Sequence, residues 1–190
     1  MTAFAPLLAA LLAAPPAAAK VARLVVMLGA FVDQPRKDGT LGPYRGYNVY
    51  NDRDAAITLA DDWPTPVEWT GYELGPALPF PPDSIDRDYA YADHPVRAAY
   101  QLYRPTPHAR PTWDLTAALQ AVRPDRGYFR LTDPGRVTID DRSISTFTPD
   151  PGGPHRVFEL PTEAEKARLL ATFAALASQP PRPDESGAGR

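Results

Sequence analysis

Apolar and polar positions fall into blocks along this chain, and the blocks have the lengths of strands, loops and helices. Residues 21–31, VARLVVMLGAF, form a nearly continuous apolar run closed by Gly, Ala and Phe. That is the pattern of a strand buried on both faces, as in a parallel sheet. Residues 32–46 are polar, are broken by Gly39, Gly42 and Pro43, and read as a loop. Asp52 is placed to cap a helix over residues 53–61, whose apolar side carries Ala55, Ala56, Leu59 and Ala60. Trp63-Pro64 stops that helix, and residues 66–74, PVEWTGYEL, read as a second strand. Strand, loop, helix, strand is the repeating unit of a parallel α/β sheet.

Downstream, residues 94–102 and 113–122 have helical periodicity, and Asp114 sits in the first turn of the second helix. Residues 127–157 are rich in Pro, Gly and Asp around short apolar pieces, which suits hairpin strands, and residues 156–160 read as one more strand. Thr162 and Glu165 have capping-box spacing ahead of a helix over residues 163–177. The domain is expected to span residues 1–177, with residues 178–190 a disordered, Pro-rich tail.

Composition narrows the function classes. A chain of 190 residues with 44% apolar and 23% charged residues can bury one core. The net charge is −3 and its 20 Lys and Arg form no stripe, so a nucleic-acid partner is not expected. The absence of Cys excludes disulfides and thiolate chemistry. The 24 Pro predict long ordered loops. At the N-terminus, residues 5–14 read as a buried helix ending at Pro15 and Pro16, or as the core of a signal peptide lacking a positive start. The segment is too short and too broken to span a membrane.

In parallel α/β sheets, ligands sit outside the carboxyl ends of the strands, and Asn48, in the loop after the first strand, belongs to that rim. A loop Asn most often bonds its own backbone; the functional alternative is an amide that holds a polyol. Asp114 is a first-turn carboxylate favoured by the helix dipole, or a ligand for a hard cation. The acidic pairs Asp61-Asp62, Asp86 with Asp88, and Asp140-Asp141 are expected to be solvated loop faces rather than catalytic carboxylates. His94, His108 and His155 have no metal-ligand spacing. No G-x-S-x-G, P-loop or G-x-G-x-x-G occurs.

Ordered motifs carry a resemblance. VARLVVMLGAF is similar to the strand ending in Met-Gly-Gly of the inosine-uridine preferring nucleoside hydrolase family. GYNVYNDRDAA resembles that family's Glu-Phe-Asn segment, followed by an Asp and an Ala-Ala helix. RPTWDLTAAL resembles its His-Asp-Pro segment that opens a helix. The chain looks like a divergent branch of this family over about residues 21–160. APLLAALLAAPP also resembles a family helix, which favours a helix over a signal peptide there, and a cytoplasmic over a secreted protein.

The resemblance implies an α/β fold with a mostly parallel, Rossmann-like sheet of nucleoside-hydrolase type. It implies a small-molecule nucleoside or related N-glycoside as substrate, and a calcium ion that binds the ribose diol and the attacking water. It assigns Asn48 to the ribose, Met27 to the wall near the sugar and Asp114 to the metal. Tyr47 and Trp113 complete the pocket wall. The family's D-x-D-x-x-x-D-D motif has no copy here, so an N-terminally truncated sheet is expected. Its unpaired apolar edge makes a homo-oligomer or a longer chain an expectation too. Gly46 stands where the family has Glu, Tyr47 where it has Phe, and Trp113 where it has His. The expectation is a protein that in complete form cleaves an N-ribosyl bond with calcium, and that as this chain alone is inactive. The alternative is a non-catalytic sugar- or nucleoside-binding domain, or a remnant of one.

Overall fold

The computed structural model describes residues 18–89 and 94–180, so the expectations for residues 5–14 and for most of the tail lie outside the described residues. Seven strands, seven α-helices and one 3-10 turn (Pro124–Arg126) follow one another among those described. Strands β1 (Leu24–Met27), β4 (Val67–Thr70), β5 (Gly135–Ile139), β6 (Ser145–Pro149) and β7 (His155–Val157) form one sheet in the order β1-β4-β7-β5-β6. The strands β1, β4 and β7 pair in parallel, whereas β5 pairs antiparallel with both β7 and β6. Four of the five strands therefore point the same way, and the α/β, mostly parallel expectation holds.

The apolar run at residues 21–31 makes a shorter strand than its pattern predicts. Only Leu24–Met27 are extended, and each is half-buried rather than buried on both faces. The reason is position: β1 lies at the end of the sheet order and pairs only with β4 among the described residues. Leu28 and Ala30 leave the strand but stay buried, which is why the run looked longer than the strand it makes.

The interior strand β4 is buried at all four positions, and its alternation divides two layers. Val67 and Trp69 join one core with Ala55, Ala56, Leu59 and Ala60 of helix α2 (Arg53–Asp62), together with Val137 and Val157. Glu68 points the other way, to helix α6 (Trp113–Val122), where its carboxylate accepts from the Gln120 amide at 2.9 Å and from Arg23 at 3.2 Å. A charge in a buried strand stands only when it is hydrogen-bonded and paired, and Glu68 is both. On the α6 side a second core gathers Leu78, Phe80, Ile85 and Leu119 with Leu169 and Phe173 of helix α7 (Glu163–Ala177).

Other elements refine the sequence reading. The loop at residues 32–46 contains a small antiparallel pair, β2 (Gln34–Pro35) with β3 (Leu41–Gly42). The second strand ends at Thr70, not at residue 74, and a short helix α3 (Leu74–Ala77) begins where the strand was expected to finish. Asp86 lies on a short helix, α4 (Ser84–Arg87), and Asp61-Asp62 close α2, so neither pair is a loop face. Helix α5 (Pro95–Tyr103) is capped by His94, whose Nδ1 accepts from the Val96 N–H. His108 stacks on Tyr100, and His155 Nδ1 accepts the Val137 N–H at 2.8 Å. All three histidines have structural partners. Among the described residues no helix is long and apolar enough to cross a membrane.

Candidate functional site

Parallel pairing of β1 with β4 brings their carboxyl ends to one rim, and the chain leaves each strand into a turn. After β1 the turn passes through Gly29, which has φ +83°, a left-handed conformation that favours glycine. The chain returns at Gly46, so close to the first turn that a Cβ there would meet the Gly29 backbone at 3.1 Å. Helix α1 (Tyr47–Asn51) starts at this contact. Asn48 is therefore on the first turn of a short helix rather than in a loop, a correction to the sequence reading. Only Asp52 separates this short helix from α2, capping both, so the sequence shows one helix start where the structure has two.

The amide of Asn48 is oriented by the strand end. Its Nδ2 donates to the Met27 carbonyl at 3.0 Å and lies 3.4 Å from the Met27 sulfur. With the NH2 engaged there, Oδ1 is the atom left to accept from a ligand. The Asn bonds the backbone of another element instead of its own, which distinguishes it from an ordinary turn residue.

Across the rim, helix α6 supplies Trp113 and Asp114 at its first turn. The Trp113 indole N–H donates to the Tyr72 carbonyl at 2.9 Å, and its ring lies against Gly75, where a Cβ would overlap it. The indole is thus fixed by a hydrogen bond at its edge and by close packing. Asp114 is exposed at the same rim.

These residues enclose one cavity of about 440 Å³, lined by Met27, Gly29, Tyr44, Gly46, Tyr47, Asn48, Tyr72, Trp113 and Asp114. All five residues singled out from sequence line it. Tyr47 is the most peripheral, at 73% exposed. Two aromatics were missed. Tyr72 stacks on Tyr44 with ring centres 4.2 Å apart and lies 5.7 Å from Trp113, tilted by 31°. Burial and the neighbouring Tyr44 push the Tyr72 hydroxyl above its usual pKa, so it stays protonated as a donor. Tyr72 was missed because residues 66–74 read as one strand; β4 ends at Thr70, which puts Tyr72 two residues beyond it, at the rim.

The donor set can be weighed against a calcium ion, which takes six to eight oxygens. Asp114 and Asn48 Oδ1 are two side chains, and among the described residues no group of three or more His, Cys, Asp or Glu could hold a metal. These residues by themselves do not fit calcium. A side chain at Gly46, where the resemblance expects a carboxylate, would press on Gly29, whose backbone a Cβ would meet at 3.1 Å.

No family model matches this chain, and no curated protein matches it at the level searched. Solved structures do. The chain is similar to an inosine-uridine preferring nucleoside hydrolase from Bacillus anthracis, with TM-score 0.60 and 20% identity, over 90% of this chain and 57% of that one. It is similar to a plant nucleoside hydrolase at TM-score 0.63 and 17% identity, over 92% and 59%. A purine-preferring ribonucleoside hydrolase from Gardnerella vaginalis gives TM-score 0.62 and 18% identity, over 90% and 58%. The chain spans less than three fifths of the length of each of these structures. At such identities the likeness establishes the fold: this chain folds as a nucleoside-hydrolase-like α/β domain.

Proposed function

We propose that the cavity around Asn48 holds the sugar of a nucleoside or a related N-glycoside. The observation that carries this reading is convergence. Met27, Asn48, Trp113 and Asp114 arrive from three elements and line one cavity at the rim, where the Met27 carbonyl holds the Asn48 NH2 and leaves Oδ1 to accept. A sugar offers O–H donors to Oδ1 and to the Asp114 carboxylate, and an apolar face to the Trp113 ring. The fold shared with nucleoside hydrolases supports the same ligand class.

Hydrolysis is a separate matter. Breaking an N-glycosidic bond needs an activated water, and a positioned base contributes about two to four orders of magnitude to such a step. Asp114 and Asn48 supply too few oxygens for calcium, and Trp113 cannot pass a proton to a leaving base. Our reading is that this chain binds without turnover. Calcium-dependent cleavage would require further carboxylates from beyond this donor set.

Titration calorimetry with inosine on this chain tests the reading. We expect saturable binding, no release of hypoxanthine on prolonged incubation, and a loss of about three- to tenfold in affinity on Asn48→Ala, the effect of one hydrogen bond. Absence of binding, or binding indifferent to Asn48→Ala and Trp113→Ala, would sink the sugar site. Hypoxanthine release would overturn binding without turnover.

A further inference from the structure

The sugar cavity has an apolar neighbour. A cavity of about 360 Å³ meets it at Trp113 and Asp114, which line both. Its other walls include Ile85 of α4, Val96 and Tyr100 of α5 and Leu115 of α6, with Phe80 and Tyr89 from the connecting chain. None of these six lines the sugar cavity.

The side-chain donors around this second cavity are used by the protein itself. The Tyr100 hydroxyl donates to the His108 carbonyl at 2.8 Å, Thr112 Oγ1 to the Leu78 carbonyl at 2.6 Å, and the Trp113 indole N–H to the Tyr72 carbonyl at 2.9 Å. Tyr89 is 2% exposed, and its hydroxyl is buried out of a ligand's reach. The Arg110 guanidinium lies 4.2 Å over the ring of Tyr103, which is not part of the lining. What remains accessible is hydrocarbon and ring surface, and Val96 and Leu115 are still 45% and 36% exposed.

This lining selects an occupant. A purine or pyrimidine placed here gives up water and finds no side-chain donor for its ring nitrogens and carbonyls, which costs free energy. An aryl ring gives up no hydrogen bond and gains from the burial of apolar surface. Size is no obstacle, since an apolar cavity of roughly 150 Å³ already admits benzene. Position says what the ring is attached to. A substituent on a sugar held beside Asn48 has this cavity next to it, across Trp113 and Asp114.

We propose that this cavity receives the aglycone of the glycoside whose sugar occupies the first, and that the aglycone is an apolar aryl group rather than a hydrogen-bonding nucleobase. The inference rests on the sugar reading and narrows its ligand class to aryl glycosides.

The test is a nuclear magnetic resonance titration of the 15N-labelled full chain with three ligands: methyl β-D-ribofuranoside, phenyl β-D-ribofuranoside and inosine. We expect the phenyl riboside to bind about ten- to a hundredfold more tightly than the methyl riboside, the gain from burying one ring. It should also bind more tightly than inosine, and it alone should shift the Val96 and Leu115 amides. Val96→Asp puts a carboxylate in the first turn of α5, where a helix tolerates it, and should remove the phenyl gain while leaving methyl riboside binding unchanged. Equal affinities for the two ribosides, tighter binding of inosine, or a phenyl gain that survives Val96→Asp overturns the proposal. If Val96→Asp loses the dispersed spectrum of a folded chain, Leu115→Glu decides by the same comparison. A methyl riboside that shifts nothing around Asn48 counts against the sugar reading alone. The aryl cavity is then judged by the phenyl shifts at Val96 and Leu115, and their absence refutes it.

Discussion

Gly46 shows how one residue sets what the rim can hold. Its backbone, at φ −56° and ψ 133°, is open to any amino acid. The constraint is contact with Gly29, which a Cβ would meet at 3.1 Å. Gly46→Ala should therefore destabilise the chain by about 1–3 kcal/mol, the cost of overpacking a tight contact, and should displace α1 with its Asn48. Urea denaturation measures the first effect. An unchanged midpoint would mean that the two turns separate freely and that the Asn48–Met27 contact is not held by their approach. The same contact explains what a sequence reading misses at this scale. Asn48 and Asp114 were legible as rim residues, because chain order places both after strand ends or at helix starts. That a side chain at Gly46 would press on Gly29 was not legible, since the two are seventeen residues apart and only the folded turns bring them together.

At the scale of elements, legibility follows how local the forces are. Helix α7 begins and ends where its sequence predicts, because its signals are all local. Thr162 Oγ1 accepts from the Glu165 N–H and Glu165 Oε2 accepts from the Thr162 N–H, closing the capping box. Leu169 and Phe173, four residues apart, then dock one face on the second core. Thr162→Ala should cost about 1 kcal/mol, seen as a lower thermal midpoint. A midpoint unchanged from the parent would show that α7 is held by docking alone. The strand β1 is the opposite case. Its apolar composition is local, but whether it is buried on both faces depends on neighbours that no local pattern reports. Likewise, PVEWTGYEL reads as nine extended residues, yet the chain turns at Gly71 and puts Tyr72 and Glu73 into two different cavities. The sheet rim was predictable; the partition it forms was not.

For the whole molecule, two buried titratable groups pull stability in opposite directions with pH. Burial lowers the pKa of His155 from its ordinary 6.5, with a contribution from Arg136, and its Nδ1 is occupied as an acceptor for the Val137 N–H. Below about pH 6.5 the unfolded chain takes up a proton that the folded chain refuses, so stability falls as pH drops towards the lowered pKa. Glu73 has the reverse sign. Burial raises its pKa above 4.5, so between 4.5 and the raised value the folded chain holds the extra proton, and stability falls as pH rises. The net slope between about pH 4.5 and 6.5 is therefore a difference of two terms, each bounded at about 1.4 kcal/mol per pH unit for one proton. Variants separate them. Glu73→Gln removes the opposing term, so its acid loss of stability should be steeper than that of the parent, with a gain at neutral pH from no longer burying a charge. His155→Asn keeps an acceptor for the Val137 N–H but does not titrate; it should be less stable throughout, from lost ring packing against Trp69, and should gain rather than lose stability on acidification. Chemical denaturation at half-unit pH steps reads both slopes. Parallel curves for parent and His155→Asn would show that the acid response comes from elsewhere, and that β7 carries no proton-sensitive contact in the sheet.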